Sequence, residues 1–141
     1  MRSDKELEKF VKIFLNKNNI VNIVFVIQEH ISREEQIRIA ELVKKGISIF
    51  SKKHPYQGQS VLIDFSLSRA RNINYYVPSE ARAIYVKIIA NNKSGRVAYV
   101  SKDILIRTVI KFIFVVIGKK NVKSFISKKK ALDWLKKIKS K

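Results

Sequence analysis

Asp64 and Ser66 close the apolar run Val61-Leu62-Ile63-Asp64-Phe65-Ser66. An acid placed where a β-favouring run gives out has two uses. It accepts a hydrogen bond from the loop backbone, or it contributes a charge to a site at the sheet edge. The loop that follows, Leu67 to Val77, carries Arg69, Arg71 and the pair Tyr75-Tyr76, and leads to Ser79. Arginine and tyrosine are favoured at protein contact hot spots. Arginine interleaved with aromatic rings is also the pattern of single-strand nucleic-acid binders. A long aperiodic stretch between strand and helix is often functional. The plainer reading has the tyrosines covering the sheet edge and the arginines solvated. Asp64, Arg69, Arg71, Tyr75, Tyr76 and Ser79 are thus the candidate partner-binding residues, and Lys128-Lys129-Lys130 are the candidate anion-binding cluster.

Other chemistries find no support in the residue pattern. His30 and His54 are the only histidines, and neither has metal-ligand spacing from the other or from an acidic cluster. Cysteine is absent, which removes disulfides, thiolate metal sites and cysteine nucleophiles. Four glycines leave no phosphate-cradling loop, and no G-x-S-x-G elbow occurs. No acid, base and nucleophile can be grouped near Asp64. The expectation is a non-enzymatic protein without cofactor or metal.

Net charge is +19, distributed unevenly: +3 over residues 1–66 and +16 over residues 67–141. Such a field favours nucleic acid, anionic lipid or an acidic protein. Lysine used as a default surface residue in a lysine-, isoleucine- and asparagine-rich proteome is the alternative. The N-terminus has charges where a secretory leader needs an apolar core, so the expected location is cytoplasmic. Ile104 to Ile117 is apolar but only 14 residues long and interrupted by Arg107 and Lys111. A spanning helix needs about 20 apolar residues. Arg107, Thr108 and Lys111 share one stripe, which predicts a buried helix with one wet face rather than a transmembrane segment. Phe112, Phe114 and Trp134 are read as core.

These residues need elements to hold them. One domain over residues 1–141 fits the length. Residues 1–27 read two ways. Ser3-Asp4-Lys5-Glu6 has capping-box spacing ahead of a helical stripe at Leu7, Phe10, Val11, Phe14 and Leu15. Val11, Ile13 and Leu15 also alternate with polar residues before the turn-like Asn16-Lys17-Asn18-Asn19, as in a hairpin. Ser32 and Glu35 form a capping box for a helix reaching about Phe50. After the strand at 61–66, Pro78 suits a helix first turn and Ser79 a cap, with the stripe Ala81, Ile84, Tyr85, Ile88 and Ile89 behind them. Val97–Val100 is a strand. The apolar helix follows and ends at Gly118. Val122–Ile126 is the last strand, and Ser127 caps a helix with the stripe Ala131, Trp134, Leu135 and Ile138. Alternating helices and strands predict an α/β fold with a mainly parallel sheet and helical cover.

Several segments come in the order of a known family: Val61 to Ser66, Ser79-Glu80-Ala81-Arg82, Arg96-Val97-Ala98-Tyr99-Val100, and Lys123-Ser124-Phe125 leading to Ala131-Leu132-Asp133-Trp134-Leu135. The chain resembles, from about residue 8 to 138, small bacterial STAS-like proteins, relatives of the anti-sigma-factor antagonists often grouped with CRAL-TRIO lipid-binding folds. The closing A-L-x-W-L helix is the most characteristic piece. The resemblance implies an opening β-hairpin with strands at about 9–15 and 20–27. It also implies a site at the loop after the central strand. In antagonists, a Ser within a D-S-S-G-like motif at that helix start is phosphorylated. Ser79 lies in the corresponding region, but the motif is absent and the loop is longer. Such proteins commonly carry acids before A-L-x-W-L, where this chain has three lysines.

The resemblance points to a regulatory, protein-interaction module of monomeric or weakly dimeric state, with an unidentified protein partner. A polyanion binder acting on nucleic acid or acidic lipid is the alternative. The CRAL-TRIO kinship implies a further one, a small apolar-ligand pocket between the sheet and the Ile104–Ile117 helix.

Overall fold

The computed structural model describes residues 1–54, 59–68, 78–90 and 95–136. Its elements run α1 (Asp4–Leu7), a 3-10 turn (Glu8–Phe10), β1 (Val11–Leu15), β2 (Val21–Phe25), α2 (Arg33–Lys53), β3 (Val61–Asp64), α3 (Ser79–Ala90), β4 (Val97–Val100), α4 (Ile104–Ile117), β5 (Val122–Phe125) and α5 (Lys128–Lys136). The strands form one sheet in the order β1-β2-β3-β4-β5. β1 is antiparallel to β2 and the other pairs are parallel. The α/β architecture and the central place of β3 agree with the sequence reading.

Both readings of the N-terminus are realised, in succession. The capping box forms, with Ser3 and Glu6 each accepting from the other's backbone, but the helix stops at Leu7. Leu7 and Phe10 turn into the core, and the chain then enters the hairpin β1–β2.

The sheet advances one strand at a time in one direction. Right-handed crossovers that always step the same way leave their helices on the same face. α2, α3 and α4 accordingly share one core with Val21, Ile23, Phe25, Val61, Val97 and Tyr99. Gly46 allows α2 to approach β1 closely, since a Cβ there would stand 2.7 Å from Ile13 Cδ1. α5 follows the last strand and covers the opposite face, where Ala131 and Leu135 pack on Leu62, Ala98 and Val100. Side chains alternate along a strand, so Ile63 faces the three helices while Leu62 and Asp64 face α5.

α4 departs from the expected buried helix. Ile106, Ile110, Ile113 and Phe114 are buried, but Ile104, Leu105, Phe112, Val115 and Val116 are exposed. Phe112, read from the sequence as core, is 57% exposed. The reason is position. α4 rests on β4 and β5 at the end of the helical layer, and among the described residues α3 is the one helix flanking it. Of the predicted polar stripe, Arg107 and Lys111 form one margin of a wide outward face that is mostly hydrocarbon, and Thr108 lies within that face. No helix of the described residues is long and apolar enough to cross a membrane.

Candidate functional site

Asp64 is buried at the carboxyl end of β3. Its Oδ1 accepts the Ser66 N–H at 2.9 Å, the loop-holding bond anticipated from the sequence. Its Oδ2 lies 3.4 Å from Lys128 Nζ. A member of each candidate set therefore meets its counterpart across the α5 face. Lys128 opens α5, where a cation opposes the helix dipole, and Asp64 supplies the compensating charge. Ser127 caps α5 as expected, its carbonyl accepting the Ala131 N–H at 3.1 Å.

Ser79 does not hold the cap position assigned to it. The Pro78 carbonyl accepts the Arg82 N–H at 2.9 Å, so Pro78 stands at the cap and Ser79 is the first helical residue. A proline fits there because no N–H is required of it. The Ser79 hydroxyl is exposed and donates to Glu80, and Glu80 in turn accepts from Arg33 at 2.6 Å, tying the starts of α2 and α3 together. Ser79 is therefore at the carboxyl edge but apart from the Asp64–Lys128 pair, which faces α5. Arg69, Arg71, Tyr75 and Tyr76 lie outside the described residues, as does Ile138. His30 is exposed, and His54 ends α2 with its ring 5.0 Å from that of Phe50. Among the described residues no cluster of potential metal ligands occurs.

The most site-like feature lies on the opposite face. A cavity of about 110 Å³ runs between the sheet and helices α2, α3 and α4. Val43 of α2, Ile88 of α3 and Ile110 of α4 close one side, with Val61 and Ile63 of β3 beneath. At the carboxyl end its wall is aromatic: Phe25 and Phe65 stack at 4.5 Å between ring centres, and Tyr85 meets Phe25 edge-on at 6.4 Å. Of the described lining residues only Gln36 and Tyr85 carry polar side chains. Burial pushes the Tyr85 phenol well above its ordinary pKa, so it stays protonated.

Two buried side-chain nitrogens lack a partner among the described residues, Gln36 Nε2 on the cavity wall and Arg107 Nε on α4. Gln36 sits in the first turn of α2, 6% exposed. A buried donor left unsatisfied costs about 1–3 kcal/mol. A hydrocarbon side chain of the same shape would avoid that cost.

Two contacts fix this end of α2 and of the sheet. Ser68 accepts the Ile27 N–H at 3.0 Å and donates to the Phe25 carbonyl at 2.7 Å, so the chain leaving β3 is latched to the end of β2. Glu35, next to Gln36, accepts from Ser32 N–H at 2.9 Å and from Arg2 through both backbone and guanidinium. Desolvation raises the Glu35 pKa, but the hydrogen bonds from Ser32 and Arg2 outweigh it and hold the carboxyl down to about 2. Sequence reasoning identified Glu35 as a cap but missed Gln36, Ser68 and Arg2. Ser68 and Arg2 act across long sequence separations, and Gln36 reads as one more polar residue of a helix.

Compared with protein-family models, curated proteins and solved structures, the chain finds no match.

Proposed function

We propose that this protein is a non-enzymatic binding module of STAS-like type that holds a small apolar ligand bearing one hydrogen-bond acceptor. The observation that carries this reading is the unpartnered Gln36 amide at the wall of a cavity whose other described lining residues, apart from the Tyr85 phenol, are hydrocarbon. A cavity of about 150 Å³ accepts benzene, with its six heavy atoms, so the 110 Å³ here suits a group of about four heavy atoms. A ketone, aldehyde, ester or protonated acid terminus supplies the acceptor for Gln36, with the hydrocarbon portion against Ile39, Val43 and Ile110. Wall residues of this kind offer no nucleophile and no acid–base pair, which supports binding rather than turnover. The order of the elements and the A-L-x-W-L sequence of α5 support the family reading. Ligand occupancy is then the input that a regulatory partner senses.

The test is a titration of isoleucine-methyl-labelled protein with short 2-alkanones and with alkanes of equal length. The methyls of Ile39, Ile88 and Ile110 shift with the ketones at lower concentration than with the alkanes. If neither series moves them, the cavity is a packing defect and the reading fails.

A further inference from the structure

We propose that the outward face of α4 docks onto a bilayer surface rich in anionic lipid, with the helix lying in the interface plane. Ile104, Leu105, Phe112, Val115 and Val116 fall within an arc of about 120° of the helix circumference, and Val115 and Val116 are 67% and 65% exposed. The one hydroxyl on this arc is already used, since Thr108 donates to the Ile104 carbonyl at 2.8 Å. What faces outward is hydrocarbon, with no directional group to select a particular protein surface.

Cations frame this face: Lys102 just before the helix, Lys111 along its margin, and Lys119 and Lys120 just after it. Apolar residues on one side with lysines at the rim are what an in-plane interfacial helix requires. At 14 residues α4 is too short to span a bilayer. A second copy of the chain is a poor occupant, because each copy carries +19 and the lysine-framed faces would repel. The positive charge of residues 67–141 is spread rather than gathered in one motif, which suits a laterally mobile array of anionic headgroups.

α4 is apolar on its inner side too, where Ile110, Ile113 and Phe114 line the cavity. Docking would bring that cavity to the layer in which apolar molecules dissolve. This last link rests on the ligand reading above, whereas the docking itself does not.

The experiment is co-sedimentation of the full chain with vesicles of phosphatidylcholine alone and of phosphatidylcholine mixed with phosphatidylglycerol. The wild type binds the mixed vesicles and not the neutral ones. Phe112→Ser with Val116→Ser weakens that binding about tenfold or more. Lys111→Gln with Lys120→Gln weakens it about fivefold for each lysine. Wild-type-like binding by the serine variant overturns the proposal, leaving charge attraction alone. So does a wild type that fails to bind mixed vesicles, or a wild-type dimer that the serine pair dissociates, which would make the face a self-association surface. Vesicle binding retained where no ligand shifts the cavity methyls overturns the ligand reading and leaves the docking surface standing.

Discussion

Lys128 Nζ stands 3.4 Å from Asp64 Oδ2, joining the first residue of α5 to the last residue of the central strand. Asp64 is 3% exposed at its side chain and Lys128 is 47% exposed, so the carboxylate depends on a partner that solvent also reaches. This pairing explains a cation where the helix dipole disfavours one. It also separates the three lysines by role, since Lys129 and Lys130 form no ion pair among the described residues.

Lys128→Ala is expected to destabilise the protein by about 1–2 kcal/mol, between the values for exposed and fully buried pairs. Lys129→Ala and Lys130→Ala should each stay within about 0.5 kcal/mol of the wild type. Urea denaturation of the three variants makes the comparison. Equal effects at all three positions would show that the Asp64 contact contributes nothing. Lys128→Glu is unsuitable as a probe of anion binding, because it sets two carboxylates against each other.

Glu35 makes stability depend on acid. Its folded pKa of about 2 lies below the ordinary 4.5, so the stabilisation is fully present above pH 4.5 and is lost as pH falls from there toward 2. Gln cannot accept from Arg2 and Ser32 as a charged group does. Glu35→Gln should therefore melt below the wild type at neutral pH, and the gap should close between pH 4.5 and 2. A gap independent of pH would mean that packing, not charge, holds Arg2 to the start of α2.

Ser68→Ala removes the buried hydroxyl that accepts from the Ile27 N–H and donates to the Phe25 carbonyl. A loss of about 2 kcal/mol is expected. Ser66→Ala should be near neutral, because Asp64 bonds the Ser66 backbone rather than its hydroxyl. Chemical denaturation with hydrogen exchange at Ile27 checks both, and unchanged protection of Ile27 in the Ser68 variant would contradict the latch.

What was legible in the sequence is local. The boxes Ser3/Glu6 and Ser32/Glu35 declare themselves by three-residue spacing, and both form. Gly118 ends α4 with φ of 77°, as a left-handed cap requires. The β-branched runs gave the strands within a few residues. The site was not legible, because Asp64–Lys128, Ile27–Ser68 and Arg2–Glu35 each join residues distant in sequence. α4 misled because its apolar residues surround most of the helix. Periodicity places such a helix in a core, and only its position at the end of the helical layer exposes one side. Gln36 carried no signal at all, since an unpartnered amide is defined by what surrounds it.

Thermal melts of the wild type and Gln36→Met, each with and without a short 2-alkanone, test the ligand reading most directly. Without ketone, the variant should melt about 3 °C above the wild type, because an unsatisfied buried amide is replaced by a thioether of similar shape. With ketone, the wild type should gain more than the variant, since Gln36 then donates its hydrogen bond. A variant that melts below the wild type, or a ketone that stabilises both proteins equally or neither, contradicts the assignment of the cavity as a binding site.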